Sequence, residues 1–334
     1  MSKIRVGSWV SAIAVMFAAV FAFSLPGCSD KQVVSQPASL RLAWLPGATF
    51  TGDYVAKEKG YWKEQGLDVT LNPGGFEFDA IKLVAAGVDT FGISSGPQLL
   101  QARANGVPIV AIAAVIPRSP IGWVAKTDSG IKKPQDFVGK KIGAQFGTHT
   151  EITLEALCAK LGIALTSFQR IPVKFDPRPF VSGDVDVLPV YLIDQPVDLE
   201  SQGLALNKID PGDYGVSLAF GNVYFTSEDV IKKHPELVRQ FLLGAKKGWG
   251  WSFSNRPDAI DVLVRAIPDA NKKVLLGKLN STFDFIQRGN TGYPGVFSMK
   301  LVEWESTRDI LIKYGDLSKS VEVNRIFTND FLPK

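Results

Sequence analysis

The chain has 334 residues, enough for two domains of ordinary size. Hydrophobic residues make up 46% and charged residues 21%, the balance of a globular protein with a substantial core. With 37 basic against 33 acidic side chains the net charge is only +4, and no basic block or aromatic-basic interleaving occurs, so nucleic acid is not indicated as a partner.

The amino-terminal segment stands apart. Lys3 and Arg5 precede an apolar stretch from Val10 to Phe23, and SLPGCSD follows. This order reads as a secretory signal, outside the fold. The stretch is short for a membrane-spanning helix, which needs about 20 apolar residues. Leu25-Pro26-Gly27-Cys28 resembles a bacterial lipobox, implying a signal peptide over 1–27 and lipidation of Cys28. More than one acyl chain there gives stable membrane attachment. Loss of Lys3 and Arg5 lowers the side-chain balance from +4 to +2. Cys158, in the apolar helical pattern EITLEALCAKLGI, is then the remaining cysteine, and a buried inert thiol is expected.

Residues 28–39 are polar and unpatterned, as expected of a lipidated tether. LRLAWL predicts the first strand from Leu40, and GDYVAKEKGYWKEQ a helix ending at Gly66. LDVTL is a short strand, and FDAIKLVAAG a helix with Gly87 at its carboxyl cap. DTFGI is a strand; Pro97 opens a helix that Asn105-Gly106 ends. PIVAIAAVI is a continuous apolar run, as expected of a strand covered on both faces. GWVAK and KKIGAQ read as strands, THTEITLEALCAKLG as a helix and VDVLPVYL as a strand. From Gly221 a strand passes into a long amphipathic helix, and the remainder is mainly helical. Alternating strands and helices predict an α/β fold with largely parallel sheets.

Gly92, Ser94 and Gly96 spell G-x-S-x-G, the turn that presents a nucleophile in many hydrolases. Such an enzyme needs an acid and then a histidine further along the chain. The two histidines present are poorly placed: His234 lies in the charged stretch DVIKKHPELVRQ, and His149 at a helix start without an acid motif. The alternatives are a ligand held non-covalently by Ser94, Ser95 and the helix amino terminus, or Ser95 simply capping that helix. Two isolated histidines and one mature cysteine offer no metal-ligand cluster, no Walker motif occurs, and no cofactor is expected.

AWLPGATFTGDYVAKEKGYWKEQGLDV resembles the opening of periplasmic solute-binding proteins of ABC importers. The similar group serves thiamine-pyrimidine precursors, riboflavin, taurine, alkanesulfonates and nitrate. AIKLVAAGVDTFGISSGPQLLQARANGVPIVAIAAVIPRSPIGWVAK and KKPQDFVGKKIGAQFGTHTEITLEAL extend the likeness to about Trp249. The resemblance implies a type II, Venus-flytrap-like fold with two interdomain crossings. One domain would comprise 40–117 plus 223–334, and the other 118–222. It implies capture of a small solute by a monomer outside the cytoplasm and delivery to a membrane permease, with ATP hydrolysed by another subunit. Heterocycle binders of the group open with a pattern like W-x-P-N-x-x-H-T-G. Trp44, Pro46, Thr51 and Gly52 match it, while Gly47 and Phe50 replace the asparagine and histidine. The extra apolar surface is compatible with a flatter or larger aromatic solute such as riboflavin. The fungal thiamine pyrimidine synthase shares the fold but uses pyridoxal phosphate, a histidine and a cysteine-rich motif. This chain has Phe50 at that histidine and no cysteine cluster.

Trp44 and Tyr191, at strand ends, are candidate walls of an aromatic clamp. Phe50, Asp53, Ser94 and Ser95 are candidate contacts in the first domain, and Gln145, Thr148 and Glu151 in the second. Glu151 would favour a ligand amine or ring N–H and disfavour a sulfonate. Arg118 and Asn222 lie at the crossings, Arg118 suiting a ligand anion or, better, a structural salt bridge. Asp194 is expected to be solvated, and Trp249 and Trp251 to pack internally.

Overall fold

A computed structural model describes residues 35–75, 77–174, 176–288, 297–315, 317 and 321–333. The signal segment and Cys28 lie outside the described residues. The first half of the chain forms β1 (Gln36–Arg41), α1 (Thr51–Glu58), β2 (Leu67–Asn72), α2 (Ala80–Ala85), β3 (Phe91–Ser94), α3 (Gly96–Ala104), β4 (Ile109–Arg118), β5 (Ile121–Lys126), β6 (Lys141–Ala144) and α4 (His149–Leu161). The second half forms β7 (Gln169–Pro172), α5 (Arg178–Ser182), β8 (Val187–Tyr191), α6 (Gln195–Ser201), β9 (Leu206–Ile209), β10 (Ala219–Ser227), α7 (Glu228–Lys233), α8 (Pro235–Ser254), α9 (Arg256–Ala266), α10 (Lys272–Arg288) and α11 (Leu301–Tyr314).

Among the described residues the strands form two five-stranded sheets, ordered β2-β1-β3-β10-β4 and β7-β6-β8-β5-β9. Each sheet with its helices makes a lobe, and the chain crosses between lobes after β4 and again before β10. Both sheets are mixed rather than largely parallel. Strand β10 runs antiparallel to β3 and β4, and β5 antiparallel to β8 and β9. The antiparallel strands are those next to the crossings: β5 opens the second sheet and β10 returns to the first.

Two expected boundaries shift. The residues Gln36–Ser39, expected in the tether, begin β1, because backbone pairing with Leu67–Thr70 recruits a segment whose side chains carry no strand pattern. The helix expected through Gln65 stops at Glu58, since Gly60 and Gly66 take left-handed conformations.

Helix α8 packs the first lobe. It buries Leu237, Val238, Phe241, Leu242, Ala245 and Trp249, a helical stripe, and each large side chain contributes roughly 1.5–3 kcal/mol. Its contact with α1 depends on glycine. A Cβ on Gly248 would lie 2.2 Å from the Gly52 carbonyl oxygen, and one on Gly52 would lie 2.2 Å from the Trp249 ring. A continuous apolar cluster runs from this core into Phe180, Leu188, Val190, Ile193 and Leu199 of the second lobe, so the lobes meet. Gly248→Ala should therefore lower the unfolding free energy by about 2 kcal/mol or more in urea denaturation. Unchanged stability would show that α1 and α8 separate freely.

Candidate functional site

The turn after β1 leaves Trp44 at the surface with 42% of its area exposed. The loop is held by Gly74, whose N–H donates to the Trp44 carbonyl at 3.0 Å. In the second lobe, Tyr191 ends β8 with 39% exposure. Its backbone N–H donates to Gln195 Oε1 at 2.7 Å. Tyr191 and Gln195 line a small depression of about 20 Å³ on the second lobe with Gln145, Thr150, Lys174 and Asp176. Gln145 Oε1 accepts from the Thr150 hydroxyl at 3.0 Å. Helix α10 packs against both the 48–50 turn and α6.

The remaining expected contacts are committed internally. Phe50 is buried in the first-lobe core, next to the alanine-glycine floor of α1. Ser94 is buried, and its hydroxyl bonds Gln98 Oε1 at 3.0 Å. Ser95 caps α3 in a reciprocal capping box with Gln98. The G-x-S-x-G turn is thus a helix start, its serine held by an amide and not by a histidine. Thr148 caps α4 by accepting from Thr150 N–H at 3.2 Å. Glu151 accepts from Gly147 N–H at 2.7 Å and pairs with Arg170 at 3.2 Å, so its charge closes a local loop. Arg118 forms a two-pronged pair with Asp210, at 2.8 and 2.7 Å, the structural role weighed for it. Asn222 Nδ2 donates to the Thr49 carbonyl at 3.4 Å, tying β10 to the 48–50 turn. Asp194 keeps 40% of its side chain exposed, as expected, and also pairs with Lys278 of α10. Gln195 and Lys174 carry no motif and escape sequence reasoning; position after a strand end is the signal that marks Gln195.

Asp53 is fully buried. Its Oδ1 accepts a short bond from the Tyr224 hydroxyl, which itself accepts from Trp249 Nε1 at 2.9 Å, while Oδ2 is buried without a hydrogen bond. This network joins α1, β10 and α8. Desolvation raises the Asp53 pKa from 3.8 to about 7, against the lowering effect of the Tyr224 bond. Burial likewise lowers His149 to about 4, keeping it neutral, and raises Cys158 to about 11, an inert thiol.

A family model described as NMT1/THI5 like matches residues 48–260. The chain belongs to this family. A riboflavin-binding protein of Chloroflexus aurantiacus is 30% identical over 91% of this chain and 88% of that protein. A formylaminopyrimidine-binding protein of Halalkalibacterium halodurans is 29% identical over 73% and 74%. A 4-amino-5-hydroxymethyl-2-methylpyrimidine phosphate synthase of Legionella pneumophila is 24% identical over 88% and 92%. Among solved structures, the periplasmic aliphatic sulphonate binding protein of Escherichia coli superposes with a TM-score of 0.68 at 16% identity, covering 87% of this chain and 92% of that one. The family member described here thus has the two-lobed periplasmic-binding-protein fold.

Because the folded state holds a proton on Asp53 that the unfolded chain releases near pH 4, stability falls as pH rises from about 4 to about 7 and levels off above. Asp53→Asn should remove that slope. Urea unfolding across this range should show the wild-type-minus-variant difference shrinking with pH; a constant difference would contradict a raised pKa.

Proposed function

We propose that the protein is the solute-binding component of an ABC importer and takes a planar, neutral nitrogen heterocycle, a riboflavin-like ring or a thiamine-pyrimidine precursor, between its lobes. The observation that carries this reading is the pair of partly exposed aromatic side chains, Trp44 in the loop after β1 on one lobe and Tyr191 at the end of β8 on the other. Rings of this kind stack on planar solutes. The Gln195 amide supplies a polar group beside Tyr191, while the Gln145 amide is engaged at both ends, by the Thr150 hydroxyl and the Lys174 carbonyl. The relatives named for riboflavin and formylaminopyrimidine binding support the same class.

Charge supports a neutral ligand. Arg118 and Arg170, which an anionic head group would need, already face Asp210 and Glu151. The solute is bound without covalent change, and the closed form is presented to the permease, where another subunit hydrolyses ATP. We place the lobe boundaries near Arg118 and Asn222. Lipidation of Cys28 would anchor this monomer to the outer side of a membrane. Lys174 on the rim of the depression favours a second reading, an organic anion such as taurine.

A thermal-shift panel on refolded protein separates the readings. Saturation at about 100 Kd stabilises by about 2.7 kcal/mol. Riboflavin or an aminopyrimidine should raise Tm, while taurine should not. Trp44→Ala and Tyr191→Ala should each weaken the heterocycle about tenfold, the equivalent of about 1.4 kcal/mol. Ser94→Ala should leave the solute unaltered and binding saturable. A shift with taurine alone would move the assignment to the anion. Conversion of the solute by the wild type, lost in Ser94→Ala, would make the protein an enzyme.

A further inference from the structure

Helix α10 belongs to the first lobe, yet it is held to α6 of the second and also touches Arg118 at the crossing. Lys278 Nζ lies 2.6 Å from Asp194 Oδ1 and 2.8 Å from Asp198 Oδ2. The lysine side chain is 17% exposed, so the ammonium is largely withdrawn from water between two carboxylates. The Val197 side chain of α6 seats against the Gly277 backbone here, since a Cβ on Gly277 would lie 2.8 Å from Val197 Cγ1. Seven residues along, on the same helix face, the Phe285 ring lies 3.8 Å beneath the Arg118 guanidinium that pairs with Asp210. The Arg118 contact sits at the crossing. The Lys278 contact sits at α6, next to the loop that carries Tyr191 and Gln195.

Asp194 and Asp198 are four residues apart on and before a short helix, a spacing at which like charges repel. One ammonium between them relieves that repulsion only while α10 and α6 touch. Parting α10 from α6 separates the two carboxylates, already 40% and 41% exposed, from their shared cation. We propose that Lys278 is a positioning residue that biases the ligand-free protein toward the closed arrangement and, by holding Asp194, fixes the Tyr191–Gln195 loop against the first lobe. Only the second clause rests on the reading that the solute lies between the lobes. The device is ionic and partly exposed, so salt weakens it.

The test is small-angle X-ray scattering of the ligand-free chain from Ser29, which retains the whole compact unit 35–334. It compares about 0.05 M with about 1 M salt. The wild type should expand as salt is raised. Lys278→Met should already be expanded at low salt and respond little further, its open-to-closed ratio raised roughly fivefold. Lys278→Arg should restore the wild-type radius. The pair Asp194→Asn with Asp198→Asn should mimic Lys278→Met, and it stands in if that variant unfolds. Wild-type radii at low salt in both Lys278→Met and the double asparagine variant would overturn the proposal. Because no solute is present, an error in the solute assignment leaves this result untouched. Faster riboflavin release from Lys278→Met, rescued by Lys278→Arg, tests the loop-fixing clause separately.

Discussion

The fold depends on one insertion. Strand β10 enters between β3 and β4 and runs against both, so the first sheet is closed by residues that follow the whole second lobe. Val223, Tyr224 and Phe225 fill the centre of that lobe because the strand has neighbours on both edges. The Tyr224 hydroxyl then reaches Asp53 of α1 and Trp249 of α8. Asn222, earlier on the same strand, holds the 48–50 turn. One strand thus sets the helix that packs the core and the turn beside Trp44.

The boundary between the lobes separates two kinds of polar chemistry. Capping residues such as Ser95 and Thr148 satisfy helix ends that would otherwise leave donors bare. Arg118 and Arg170 are discharged by Asp210 and Glu151, which keeps their burial tolerable. Trp44 on the first lobe and Tyr191 on the second stay partly exposed, and Gln195 lies beside Tyr191.

Much of this was legible in the chain itself. The apolar run Ile109–Ile116, the helix stop at Gly87 and the stripe of α8 each carry a local cause, and the structure has a strand, a cap and a buried face there. The antiparallel insertion of β10 was not legible, because Gly221–Ser227 reads the same whichever way its neighbours run. Nor was the burial of Phe50 and Asp53: both flank a helix start, and only the packing of α8 decides that they face inward. Ser94 shows the same limit. Its motif names a turn, whereas the partner of its hydroxyl is set four residues on, at Gln98. Lys278 and Asp194 are 84 positions apart in numbering, and nothing local to either announces the other.

The two sheets also differ in when they can be completed. All five strands of the second lie between residues 121 and 209. The first needs β3 to meet β10, where the Thr226 hydroxyl bonds the Thr90 carbonyl across 136 positions. A chain emerging from its amino end therefore has every strand of the inserted lobe in hand while its first lobe still lacks an interior strand. Until residue 227 arrives, β3 and β4 each keep an unpaired edge in a strongly apolar segment. Assembly from the middle outward follows from the strand order alone, and it makes the interval between residues 118 and 227 the stretch of synthesis in which these edges stand open.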